Sequence, residues 1–154
     1  MKKLITLLIA LTMNACNNPD DTFLNANLDE METTWANEAM SDLCQESIGY
    51  CCPNLGSNGD NTIIIVSELP NNYAGMQSAN REQLGGWSSS IVSILDADFI
   101  VNNERMFQNI VKHEMIHHCT HKGTHLESGN IMSSVGNFPI DGKLTDADVE
   151  YLTN

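Results

Sequence analysis

Val111-Lys112-His113-Glu114-Met115-Ile116-His117-His118-Cys119-Thr120-His121-Lys122-Gly123-Thr124-His125 is the stretch on which the reading of this chain turns. Its core, His113-Glu114-Met115-Ile116-His117, is an H-E-x-x-H signature. Residues four apart share one face of a helix, so the imidazoles of His113 and His117 converge on a single point. Such a pair suits a divalent metal ion, zinc above all. With three protein ligands zinc keeps a fourth position for water and lowers that water's pKa to about 7. Glu114 sits one step round the helix, close enough to take a proton from that water and pass it to a leaving amine without being a ligand. A solvated helix that merely carries histidines is the alternative, and it predicts no particular neighbours. Here the preceding turns carry an apolar ridge of Met106, Phe107, Ile110 and Val111, as a core helix does. Asn102 or Asn103 is placed to cap the helix, and Glu104 in its first turn suits the dipole.

Working outward, Leu28, Met31, Trp35, Ala39, Met40 and Leu43 recur at helical spacing, with acids early in the run. A helix from Leu28 to about Glu46 is expected, with Trp35 in the core. The turn-rich Ile48 to Asn61 reads as a loop stapled by cysteines. Thr62-Ile63-Ile64-Ile65-Val66-Ser67 is the clearest strand, its β-branched run suggesting burial on both faces. Tyr73 to Gly86 reads as a polar excursion, Trp87 to Leu95 as a strand, and Phe99-Ile100-Val101 as a short strand extension. Near the end, Thr145 with Asp148 forms a box-like helix cap, flanked by Leu144 and Val149 at staple positions, and Leu152 continues the buried face. These elements point to one α+β domain with a small mixed sheet.

With 154 residues, 42% of them hydrophobic, the chain can build one real core. The net charge is −13, and without Lys2 and Lys3 five basic residues face 20 acidic ones, a balance of −15. Such acidity repels nucleic acid and anionic lipid headgroups, so neither is expected as a partner.

Lys2-Lys3 followed by the apolar Leu4 to Met13 has the form of a signal peptide, too short to span a bilayer. Met13-Asn14-Ala15-Cys16 resembles a lipobox, which implies cleavage after residue 15 and lipidation of Cys16 in an exported bacterial lipoprotein. An ordinary secretory peptide is the alternative. Residues 16–27 then read as a polar tether and residues 28–154 as the functional domain, with membrane contact only through the Cys16 lipid. The outer membrane is the expected site, facing the periplasm or the cell surface. Export permits disulfides. Cys44, Cys51, Cys52 and Cys119 remain after Cys16, and the strain of bonding adjacent cysteines sends Cys51 and Cys52 to Cys44 and Cys119 in one order or the other. Cys119 lies about 200° round the helix from His117, so it is not a ligand.

Taken together, the pieces resemble the metzincin zinc endopeptidases, in their matrixin-like branch. His113-Glu114-Met115-Ile116-His117 matches the family's core signature, and Ser128-Gly129-Asn130-Ile131-Met132-Ser133 is similar to its Met-turn, where Met132 would form a floor under the metal. Lys143 to Leu152 looks like its closing helix. The likeness runs from about Thr62 to the C-terminus and implies a zincin-like fold: a metal-binding helix, a Met-turn and a C-terminal helix. One departure is clear. The family's H-E-x-x-H-x-x-G-x-x-H would place glycine at 120 and histidine at 123, where this chain has Thr120 and Gly123. His125, two residues further on, is then the expected third ligand, with Gly123 breaking the helix. His121 is the competitor, but on a continuous helix it lies about 12 Å from His113. Glu127 is a remote third choice. His118 points off the metal face and reads as a surface residue or one that supports the ligands. Ser134, not tyrosine, follows Met132 by two, so no tyrosine ligand is implied. No propeptide with an inhibitory cysteine is expected between Cys16 and the domain, and the roughly 139 residues after residue 15 imply a small member of the family with trimmed calcium or structural-zinc loops.

The implied activity is hydrolysis of a protein or peptide substrate by a monomeric enzyme. Zinc would rest on His113, His117 and His125, and Glu114 would be the general base and acid. The family's substrates lie along an edge strand, expected here within Trp87 to Leu95, with specificity set by the loop from Ser133 to Gly142. A non-catalytic exported metal binder is one alternative. An interaction module on a degenerate protease fold is the other.

Overall fold

A computed structural model describes residues 22–57, 60–81, 87–134 and 136–154. Expectations for the signal segment and Cys16 lie outside these residues. The described elements run in chain order as β1 (Thr22–Asn25), α1 (Glu30–Glu46), β2 (Asn54–Leu55), β3 (Asn61–Val66), β4 (Gly75–Arg81), β5 (Trp87–Leu95), α2 (Asp98–Val101), α3 (Glu104–Thr120) and α4 (Asp146–Thr153). The class is α+β.

The strands form one sheet in the order β2-β1-β3-β5-β4. β1 pairs in parallel with β2 and β3, β3 is parallel to β5, and β4 is antiparallel to β5. The sheet is therefore mixed and small, and β4 is an edge. β3 is the strand its β-branched run foretold, but full burial on both faces is corrected. Ile63 is fully buried, whereas Thr62 and Ile64 to Val66 are half-buried.

Four other expectations change. The segment read as a tether ends in β1, inside the sheet, where Phe23 is fully buried. The Asn27 side-chain amide extends its ladder, donating to the Ile65 carbonyl and accepting the Ile65 N–H. The supposed excursion after Tyr73 contains β4, a strand of seven residues. The 99–101 extension is the one-turn helix α2. Trp87–Leu95 is not the edge strand, because β5 lies between β3 and β4.

α1 begins with a capping box, Asp29 accepting the Glu32 N–H and Glu32 accepting the Asp29 N–H. Its Ala36, Ala39, Met40 and Leu43 are buried, and the half-buried Trp35 packs on Phe107 of α3 at 5.9 Å between centroids. The buried Lys112 ammonium crosses the α1–α3 seam to Glu46 at 3.4 Å and to the Gly142 carbonyl at 2.9 Å. Two disulfides reinforce this seam, Cys44–Cys52 and Cys51–Cys119. Ile48 and Gly49 take positive φ just after α1, folding the chain back so that Cys52 meets Cys44 while the buried Cys51 reaches α3. Among the described residues, no helix is long and apolar enough to cross a membrane.

Candidate metal centre

α3 starts where its cap demands, the Asn103 side chain accepting the Met106 N–H. Phe107, Ile110 and Val111 are buried, so the helix is held on its apolar side and presents His113 and His117 at a fixed rotation. It stops at Thr120, and the residue that breaks it is His121, which caps it in the left-handed region at φ 55. Gly123 is not the breaker. The chain then doubles back, pairing Leu126 with Ser133 in an isolated parallel bridge. That return brings His125 to the helix.

His113, His117 and His125 place one donor atom each within 4.8 Å of one another, a set able to hold a metal ion. The Nε2 of His117 lies 3.1 Å from that of His113 and 3.3 Å from that of His125. The outer nitrogens of two rings are held by backbone carbonyls. His113 Nδ1 donates to Ile131 O at 2.7 Å, and His117 Nδ1 donates to Lys122 O. Each such bond puts the proton on Nδ1 and turns the Nε2 lone pair toward the common point. Burial lowers the His113 pKa to about 4, the neighbouring His117 and His125 adding to the effect against the Ile131 carbonyl. Burial likewise lowers that of His117. Both rings are therefore neutral at pH 7, the state a metal requires.

Glu114 is 5% exposed, and burial pushes its carboxyl up to about 8, against the Gln77 backbone N–H that favours the charged form. Gln77 belongs to β4, so the edge strand runs directly past this carboxyl. The approach is close at Gly75, where a Cβ would stand 2.6 Å from Ile110 Cγ2 and 2.8 Å from Glu114 Oε1. Only glycine leaves that space. The three histidines, Glu114, β4 and Phe138 line one open cleft of about 580 Å³.

Met132 is fully buried beside Ile131. Asp148 of α4, also fully buried, accepts both their backbone N–H groups at 3.0 and 2.9 Å, and thereby fixes the Ile131 carbonyl that orients His113. Sequence reasoning saw Asp148 as a helix cap, which it is, but not as an anchor of this turn. Gly75 and Gln77 were missed because β4 was missed. His121 lines the cleft but is not in the triad, and Glu127 is an exposed residue outside it. His118 is corrected from a surface position: it is buried, with its ring edge-on to Phe23 at 5.0 Å. Cys119 is in a disulfide, not at the metal point.

Comparison with protein-family models, curated proteins and solved structures finds no match to this chain.

Proposed function

We propose that this protein is a zinc-dependent endopeptidase of metzincin type, matrixin-like, that hydrolyses peptide bonds. One observation carries the reading: three imidazole donors within 4.8 Å of one another, beside a carboxyl buried against an edge strand. The donor set fits the ion. Nitrogens about 2.0–2.1 Å from a tetrahedral zinc stand roughly 3.3 Å apart, close to the His117 separations of 3.1 and 3.3 Å. Bound by His113, His117 and His125, zinc would polarise the scissile carbonyl and acidify a water.

The chain's own residues do the rest. Glu114 takes the proton of the attacking water as its oxygen bonds to the carbonyl carbon. It then delivers that proton to the amide nitrogen as the C–N bond breaks. An extended substrate would pair with the outer side of β4, an edge of the sheet among the described residues, main chain to main chain, which passes its scissile bond over Glu114. Phe138, 6.3 Å from the His113 ring centroid, would line a specificity wall in the loop after Met132. Export as a lipoprotein anchored through Cys16 belongs to the same proposal, and two disulfides in so short a chain support an oxidising compartment.

The test is cleavage of an unfolded protein by the oxidised, zinc-loaded protein, with Glu114→Ala and chelated wild type in parallel. Wild-type cleavage that falls at least about 100-fold in both controls is expected. Cleavage unchanged by Glu114→Ala would overturn the mechanism. Zinc binding without any cleavage would favour a metal-binding role.

A further inference from the structure

Each of two ligands has a carbonyl on its outer nitrogen, Ile131 O for His113 and Lys122 O for His117. Among the described residues, the hydrogen-bond contact of the His125 ring is to His117 alone. His125 is also the exposed member of the triad, carried on a segment that follows the end of α3. A ligand placed this way costs ordering entropy unless something else fixes its backbone. That something stands on both sides of it.

Tyr151 of α4 donates its hydroxyl to the Thr124 carbonyl at 2.7 Å and meets Thr124 Oγ1 at 3.0 Å. The Lys122 ammonium donates to the Tyr151 carbonyl at 2.7 Å and lies 4.7 Å from the Tyr151 ring centroid. One aromatic residue thus grips the two residues that flank Gly123, immediately before His125. The Lys122 ammonium also sits on a carbonyl of the last turn of α4, where a cation suits the helix dipole. The same Lys122 presents its carbonyl to His117, so the grip reaches two of the three ligands.

We infer that Tyr151 and Lys122 are positioning residues for the metal: by clamping residues 122–124 to α4 they set His125 at bonding distance of the point defined by His113 and His117. The inference rests on the metal-site reading above. It also explains how the chain accommodates a third histidine two residues later than the related signature would have it. The extra residues are held by α4 rather than left as a loose loop.

The test measures zinc affinity by competition with a chromophoric chelator, and the visible spectrum of the cobalt-substituted protein. It uses wild type, Tyr151→Phe, Lys122→Met, His125→Ala and the double variant Tyr151→Phe/His125→Ala. Tyr151→Phe keeps the ring and removes only the hydroxyl. The expected result is a loss of roughly 10-fold or more in affinity for each clamp variant, the range for residues that orient ligands. Their cobalt spectra should shift toward that of His125→Ala. In the double variant the Tyr151 effect should vanish, since there is no third ligand left to position. Tyr151→Phe and Lys122→Met with wild-type affinity and spectrum would overturn the inference while leaving the metal site standing. A Tyr151 effect that persists in full without His125 would also overturn it, by marking a role in general stability only. Wild type that binds no zinc or cobalt would sink the metal reading itself, and the inference with it.

Discussion

In metal-free protein, Glu114→Gln should abolish a loss of stability that the wild type suffers between pH 6.5 and 8. Burial raises the Glu114 carboxyl from 4.5 to about 8, so between those values the folded state holds a proton that the unfolded chain has released. Stability from this group is complete below 4.5 and falls as pH rises. His113 works in the opposite sense. Its pKa drops from 6.5 to about 4, so the unfolded chain holds the extra proton and stability rises with pH through 6.5 and is complete above it. His117, also lowered, adds to that rise. The opposing effects overlap up to about pH 7.5, because an unfolded imidazole is still half-protonated at 6.5, so the histidines offset part of the Glu114 loss in this window without reversing it. One proton over this window is worth about 2 kcal/mol, or about 1.5 kcal/mol because the carboxyl is half-ionised by pH 8. Little discount for solvent is due, since Glu114 is 5% exposed. For a domain this size that is a fall in Tm of roughly 5 °C. Circular-dichroism melts in chelator, with disulfides intact, at pH 6.5 and 8 would read it. Glutamine matches the shape and still accepts from the Gln77 N–H, so its Tm should no longer fall across the window and should rise slightly as the unfolded imidazoles finish losing their protons. The same fall in both proteins, or a wild-type melt that rises, would refute the account of Glu114.

Gly75→Ala should cost about 1–3 kcal/mol in denaturant unfolding, because the new methyl lands 2.6 Å from Ile110 Cγ2. If the proposed function holds, it should also lower cleavage of a protein substrate, since the methyl stands 2.8 Å from Glu114 Oε1; a variant as stable as wild type would show that β4 does not approach so closely. Removing the Cys51–Cys119 pair as alanines should cost about 4 kcal/mol and removing Cys44–Cys52 about 2 kcal/mol. The order follows from sequence separations of 68 and 8 residues, and urea midpoints in the reverse order would refute that account.

The sequence by itself carried whatever depends on neighbours within about one helical turn. His113, Glu114 and His117 share a helix, so their spacing alone set their relation. An asparagine cap at 102 or 103, the Thr145–Asp148 box and the β-branched core of β3 were legible for the same reason, and the structure puts the cap at Asn103. Long-range contacts were not legible. Gly75-Met76-Gln77-Ser78-Ala79-Asn80-Arg81 has no β-branched residue and becomes a strand because β5 supplies a pairing edge. β1 forms because β2 and β3 flank it; Thr22 and Phe23 suit a strand, but four residues are too few for an alternating pattern to be read. The choice between two cysteine pairings was open in the chain and was made by the turn at Ile48 and Gly49. His125 was named from the resemblance, as the histidine nearest to the place the related signature gives its third ligand, but its approach to His117 depends on where α3 ends and on how α4 holds residues 122–124. Helical periodicity is a local property of the backbone, whereas closing a loop around a metal point needs a partner from the far end of the chain. That partner is α4, and only the tertiary structure shows where it lies.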